Sequence, residues 1–155
     1  MRIKTPLILA ALAAAAYFTF RQFSGLTKTY TVRLGGIRFN NNASRSTLYT
    51  RAIFDVSLLL NNPTQFSGTV TGVKLDILMG SRVLATINKT DRLSIQASGQ
   101  TIIPIQVGIN TLTIYGNVSE AIRQLSGGQP LTFTVVGTVL TNYGQIPVNE
   151  TVRTN

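Results

Sequence analysis

Phe54-Asp55-Val56-Ser57-Leu58-Leu59-Leu60-Asn61-Asn62-Pro63 is the stretch that decides the fold. Phe54, Val56, Leu58 and Leu60 alternate with Asp55, Ser57 and Leu59. A period of two means a strand with one face on a core and the other turned outward. Pro63 cannot continue a central ladder, and an Asn at a strand end can hydrogen-bond the turn backbone, so Asn62-Pro63 reads as a strand terminator.

The same rhythm runs outward in both directions. Upstream, Tyr30, Val32 and Leu34 alternate with Thr31 and Arg33, and Gly35-Gly36 breaks that strand at a bulge or bend. Downstream, Val73, Leu75, Ile77 and Met79 form one apolar face, Ile103, Ile105, Val107 and Ile109 a second, and Leu131, Phe133, Val135 and Val139 a third. Gly80-Ser81 between two alternating runs is a two-residue hairpin signal. Ser98-Gly99 and Gly127-Gly128 mark further turns. One segment departs from the rhythm. Asn117 can cap a short helix, with Glu120 reaching back and Val118, Ile122 and Leu125 on one face. Seven or eight strands with one short helix predict an all-β chain folded as a β-sandwich.

The chain has 155 residues, so one compact domain plus an appendage is expected. The appendage is N-terminal. Arg2 and Lys4 precede the uncharged run Thr5–Phe20, TPLILAALAAAAYFTF, and Arg21 closes it. As a helix this run reaches about 24 Å, somewhat short of a hydrocarbon core of about 30 Å. Aromatic residues at its far end suit an interfacial belt. An uncleaved signal-anchor, a signal peptide cleaved after the alanines, and a buried helix of a larger assembly all fit; the anchor is the favoured reading. The division is therefore 1–25, a hydrophobic helix and linker, and 26–155, the sandwich. The expected place is a membrane crossed once through residues 5–20, with the domain on the extracytoplasmic side, or the membrane of a virus particle.

Composition excludes several functions. With no His and no Cys, the usual nucleophile–base pairs, disulfides and thiolate or imidazole metal sites cannot be built. Five acidic residues leave little for general acid–base work or a carboxylate cage. No enzyme activity, cofactor or metal is expected. Net charge is +9, of which +6 belongs to the sandwich once Arg2, Lys4 and Arg21 are set aside. The positive residues are dispersed, with no basic run, which favours solubility and anionic surfaces over specific nucleic-acid binding. Arg33, Arg38, Arg45 and Arg51 lie early in the domain, close in sequence to residues 5–20, and are the expected contacts to anionic lipid or an acidic protein partner. Homo- or hetero-assembly is compatible with all of this.

The ordered set from Tyr30 to Val107 resembles the late embryogenesis abundant (LEA) type 2 family, also called the WHy domain. It comprises TYTVRLGGIRF, the long strand ending at Asn62-Pro63 with Phe66 after it, the hairpin at Gly80 leading to Val83-Leu84-Ala85, and Ile103-Pro104-Ile105. The closing segments 131–140 and 145–152 also fit. The resemblance implies an immunoglobulin- or fibronectin-III-like sandwich, a stress-linked protective or binding role without catalytic residues, and a structural role for Asn62, Pro63, Phe66, Gly80 and Pro104. The basic charge and the apolar N-terminus depart from a cytosolic protectant. A membrane-tethered module follows, with a structural subunit of an envelope or membrane-containing virus particle as the alternative.

Overall fold

The computed structural model describes residues 29–116, 123–124 and 127–154. The expected anchor helix lies outside these residues. So does most of the expected helix at 117–125, of which Arg123 and Gln124 alone are described, both helical. Among the described residues, no helix is long and apolar enough to cross a membrane.

The described chain is all-β apart from short helical segments. Its order is β1 (Thr31–Phe39), α1 (Asn41–Ser46), β2 (Arg51–Asn62), β3 (Gly68–Met79), β4 (Arg82–Lys89), β5 (Leu93–Ile95), β6 (Gly99–Asn110), α2 (Thr111–Tyr115), β7 (Thr132–Thr141) and β8 (Gly144–Arg153). Every pairing is antiparallel. One sheet has the order β1-β2-β6; the other runs β4-β3-β7-β8, with β5 also on β3.

The alternating residues build the core between the sheets. Phe54, Val56, Leu58 and Leu60 are buried on β2, facing Leu75, Ile77, Phe133 and Val135 of the larger sheet. Phe54 is the pivot. Its ring packs edge-on to Phe133 at 5.2 Å across the core and tilted to Phe39 at 5.7 Å within its own sheet. Such pairs add roughly 0.5–1.5 kcal/mol beyond area burial. Asp55, on the opposite pleat, is exposed.

The Gly35-Gly36 break is a bulge: the β1–β2 register shifts between Leu34 and Gly36. Beside it the Leu34 amide, which faces away from β2, donates to Glu150 Oε2 at 2.9 Å and ties β1 to β8. The Gly80-Ser81 hairpin is present between β3 and β4, with Gly80 at φ +61°, a left-handed conformation that costs glycine nothing. Pro104 sits on β6, which pairs only with β2 in its sheet, so a residue lacking an N–H is accommodated if its nitrogen faces the unpaired edge.

Two helices stand where none was expected. Asn40 caps α1 by accepting from the Ala43 amide at 2.9 Å, and Asn110 caps α2 by accepting from the Leu112 amide at 2.9 Å. After α1 the chain turns through two consecutive left-handed residues, Leu48 at φ +51° and Tyr49 at φ +56°. That conformation costs an L-residue about 1–2 kcal/mol. A dense local network offsets it: the Leu48 amide donates to Arg45 O, the Tyr49 amide to Ser44 O and the Thr50 amide to Thr47 O, while Tyr49 Oη donates to Asn41 Oδ1 at 2.8 Å.

Candidate functional site

A buried polar site is built around Asn62, the last residue of β2, which is fully buried. Its Nδ2 donates to the carbonyl of Phe66 and to that of Gln96, each at 2.8 Å. Its Oδ1 accepts from the Thr64 amide at 2.9 Å and the Thr64 hydroxyl at 2.7 Å. The amide thus holds the 63–66 turn to the segment after β5, and each of its polar atoms has two partners. Pro63 is exposed at the point where β2 stops. Phe66 joins the site through its carbonyl, while its side chain is 46% exposed. Gly80 and Pro104 are far from this node in the fold, at a hairpin tip and within β6. Nearby, Tyr30 is buried and its ring meets Tyr143 edge-on at 6.2 Å. Burial pushes the Tyr30 phenol above its ordinary range.

The node is a clamp and not a reacting centre. A carboxamide with both ends saturated has no proton to give and no lone pair to spare. Among the described residues no group of three or more His, Cys, Asp or Glu could hold a metal ion.

The smaller sheet's outer face carries a second polar cluster. Asp55 accepts from Asn40 Nδ2 at 2.9 Å and from Gln106 Nε2 at 3.0 Å, so one carboxylate links residues from β1's end, β2 and β6. An open groove lined by Gly35, Arg38, Ser57, Lys89 and Gln106 runs past it. One carboxylate beside two cations can bind a polar ligand but offers no acid–base pair.

Of the four arginines, the structure brings Arg33, Arg38 and Arg51 to exposed positions on the smaller sheet and places Arg45 on α1. They do not form one patch. β1 begins next to the Asn62 end, with Thr31 opposite Asn61, and runs away from it to Phe39 opposite Phe54. Nine residues cover roughly 30 Å. Arg33 is therefore near the point where the described chain begins, whereas Arg38, Arg45 and Arg51 lie toward the opposite end. Closeness in sequence along β1 does not translate into closeness in space, because a strand is an extended element.

No protein-family model matches the chain, and no curated protein matches it in sequence. Solved structures do share its fold. A protein of Arabidopsis thaliana, determined in solution, is 11% identical with a TM-score of 0.55, over 79% of this chain and 78% of that one. A second solution structure from Arabidopsis, of a provisionally assigned LEA protein, is 12% identical with a TM-score of 0.52, over 96% of this chain and 82% of that one. At these identities the likeness is one of fold: the chain has an LEA-like all-β fold.

Proposed function

We propose that this chain is a non-catalytic protective or binding module of LEA type 2 kind. In this reading its two sheets form an immunoglobulin- or fibronectin-III-like sandwich, and residues 5–20 tether it to a membrane with the domain outside the cytoplasm. The observation that carries the reading is the fold likeness to the provisionally assigned LEA protein. The Asn62 clamp supports it, standing where the family resemblance puts an Asn-Pro strand end. The outer pleats supply the means. Thr132, Thr138 and Thr151 are exposed or half-buried on β7 and β8, and Thr134 and Thr151 share a hydroxyl contact of 3.0 Å. Hydroxyls on a rigid pleat can replace water around a drying client by hydrogen bonding, with no covalent step.

The tether and the protective role are separable by experiment. Apolar burial is not screened by salt. The full-length chain is expected to stay in the membrane fraction through high salt and alkaline carbonate. Its release intact by carbonate would remove the integral tether, and a mature N-terminus near Tyr17 would show cleavage instead. The protective role is read as survival of a labile enzyme through drying and rehydration with the chain present. Survival no better than with an equal mass of albumin would remove that role.

A further inference from the structure

The end of the sandwich opposite the Asn62 clamp has a composition that neither the tether nor the clamp uses. Three loops meet there: the turn after α1, helix α2, and the β3–β4 hairpin. The Thr111 amide donates to the Thr50 carbonyl at 3.2 Å, and an Arg82 guanidinium nitrogen donates to the Thr113 carbonyl at 3.0 Å, so the three are held together. Two leucines project from this end: Leu48 is 80% exposed and Leu112 is 52% exposed. Arg45, Arg51 and Arg82 flank them, all exposed. Residues 40–51, 79–83 and 110–116 contain no Asp or Glu.

Leu48 is not merely left over on the surface. It is displayed by two adjacent left-handed residues, a conformation that leucine and tyrosine avoid, and the hydrogen bonds of Ser44, Thr47 and Thr50 hold the turn in place. A chain that needed only to connect α1 to β2 could do so without exposing leucine on a strained turn.

We propose that this end is a second, reversible membrane contact: Leu48 and Leu112 enter the interface of an anionic bilayer while Arg45, Arg51 and Arg82 engage its phosphates. Charge complementarity and the form of the apolar surface select this occupant. The leucines stand singly on separate loops and protrude, which suits a deformable lipid interface better than the continuous apolar patch of a protein contact. Lys and Arg close to an anionic leaflet each add to the attraction. The inference goes beyond the tether, because the contact lies at the end remote from Tyr30, so a chain held by residues 5–20 in one bilayer would present this end to another.

The test uses the full chain and its lack of tryptophan. A Leu48→Trp variant, first reconstituted into neutral phosphatidylcholine vesicles, is then mixed with separate vesicles that are neutral or rich in phosphatidylglycerol. A blue-shifted emission is expected only with the anionic vesicles, together with their capture, weakening at physiological salt. Leu48→Ser should reduce capture by about tenfold, judged from the burial of one leucine. The triple change Arg45→Gln, Arg51→Gln and Arg82→Gln should reduce it by at least about tenfold. Failure of the tether is seen independently, as loss of the chain from the neutral vesicles before mixing; the emission is then read on the free chain with the same anionic vesicles. No blue shift at low salt, an equal shift with neutral lipid, or capture unaffected by Leu48→Ser would overturn the proposal. So would equal binding to polyglutamate-coated beads that Leu48→Ser leaves intact, which would assign this end to an acidic protein.

Discussion

Gly137→Ala is expected to destroy the fold. Gly137 lies in the middle of β7, the central strand that pairs with β3 on one side and β8 on the other, opposite Leu75 and Val148. Its φ of +155° is one that residues with a side chain rarely adopt. A methyl group there would fall on the Lys74 carbonyl oxygen and within 2.8 Å of Leu75 Cα. These are backbone atoms of a paired strand and cannot swing aside like the end of a side chain. Relief would require parting β3 from β7, the pairing that holds the larger sheet together. The expected cost is about 5 kcal/mol or more, a large part of the roughly 5–15 kcal/mol that stabilises a domain. Circular dichroism and denaturant titration would show it as loss of the cooperative transition, and a midpoint close to that of the parent chain would contradict the placement of β7 against β3.

The second large effect is expected at Asn62. Asn62→Ala deletes the two donors held by the Phe66 and Gln96 carbonyls and the acceptor of the Thr64 amide and hydroxyl. The site is fully buried, so water does not readily replace the lost partners. Each buried polar group left unpaired costs about 1–3 kcal/mol, and some of these can relax toward solvent because Pro63 and Phe66 are exposed. A loss of about 3–4 kcal/mol is the expected total. Asn62→Asp keeps the acceptor but turns both donors into repulsion against carbonyl oxygens, so it should not rescue. Asp55→Ala is the contrast: Asp55 also accepts two side-chain hydrogen bonds, yet it is exposed, and its loss should cost below about 1 kcal/mol. Equal midpoints for the Asn62 and Asp55 variants would mean that the clamp does not close the end of β2.

These cases show what was legible in the sequence. The period of two placed Phe54, Val56, Leu58 and Leu60 inside and Asp55 outside, because strand geometry alone fixes which face a residue joins. The Gly35-Gly36 bulge, the Gly80-Ser81 hairpin and the stop at Asn62-Pro63 were legible because Gly, Ser, Asn and Pro act locally. The distant partner of Asn62 was not: Gln96 is 34 residues away, and its carbonyl reaches Asn62 because β5 pairs with β3 and β6 sets Gly99 opposite Asn62. Helices α1 and α2, of six and five residues, are too short to carry a helical period, although both follow a capping Asn. The spacing of the four arginines was not legible either, since it depends on how far each strand runs. Residues near one another along a strand stand apart in space, and β1 carries Arg38 well away from Arg33. Leu48 gave no signal at all, since leucine does not announce a left-handed turn and only the surrounding hydrogen bonds enforce it.

The protective reading rests on the folded surface, and the drying assay can be made to ask about that surface directly. A labile enzyme is dried and rehydrated with the full chain, with its Gly137→Ala variant, or with albumin at equal mass, and residual enzyme activity is measured. A protein that protects through its pleated outer faces should preserve activity well above the albumin level only when folded, and the Gly137→Ala chain should fall to that level. Protection by the variant equal to that of the parent chain, or no protection above albumin by either, would contradict the account.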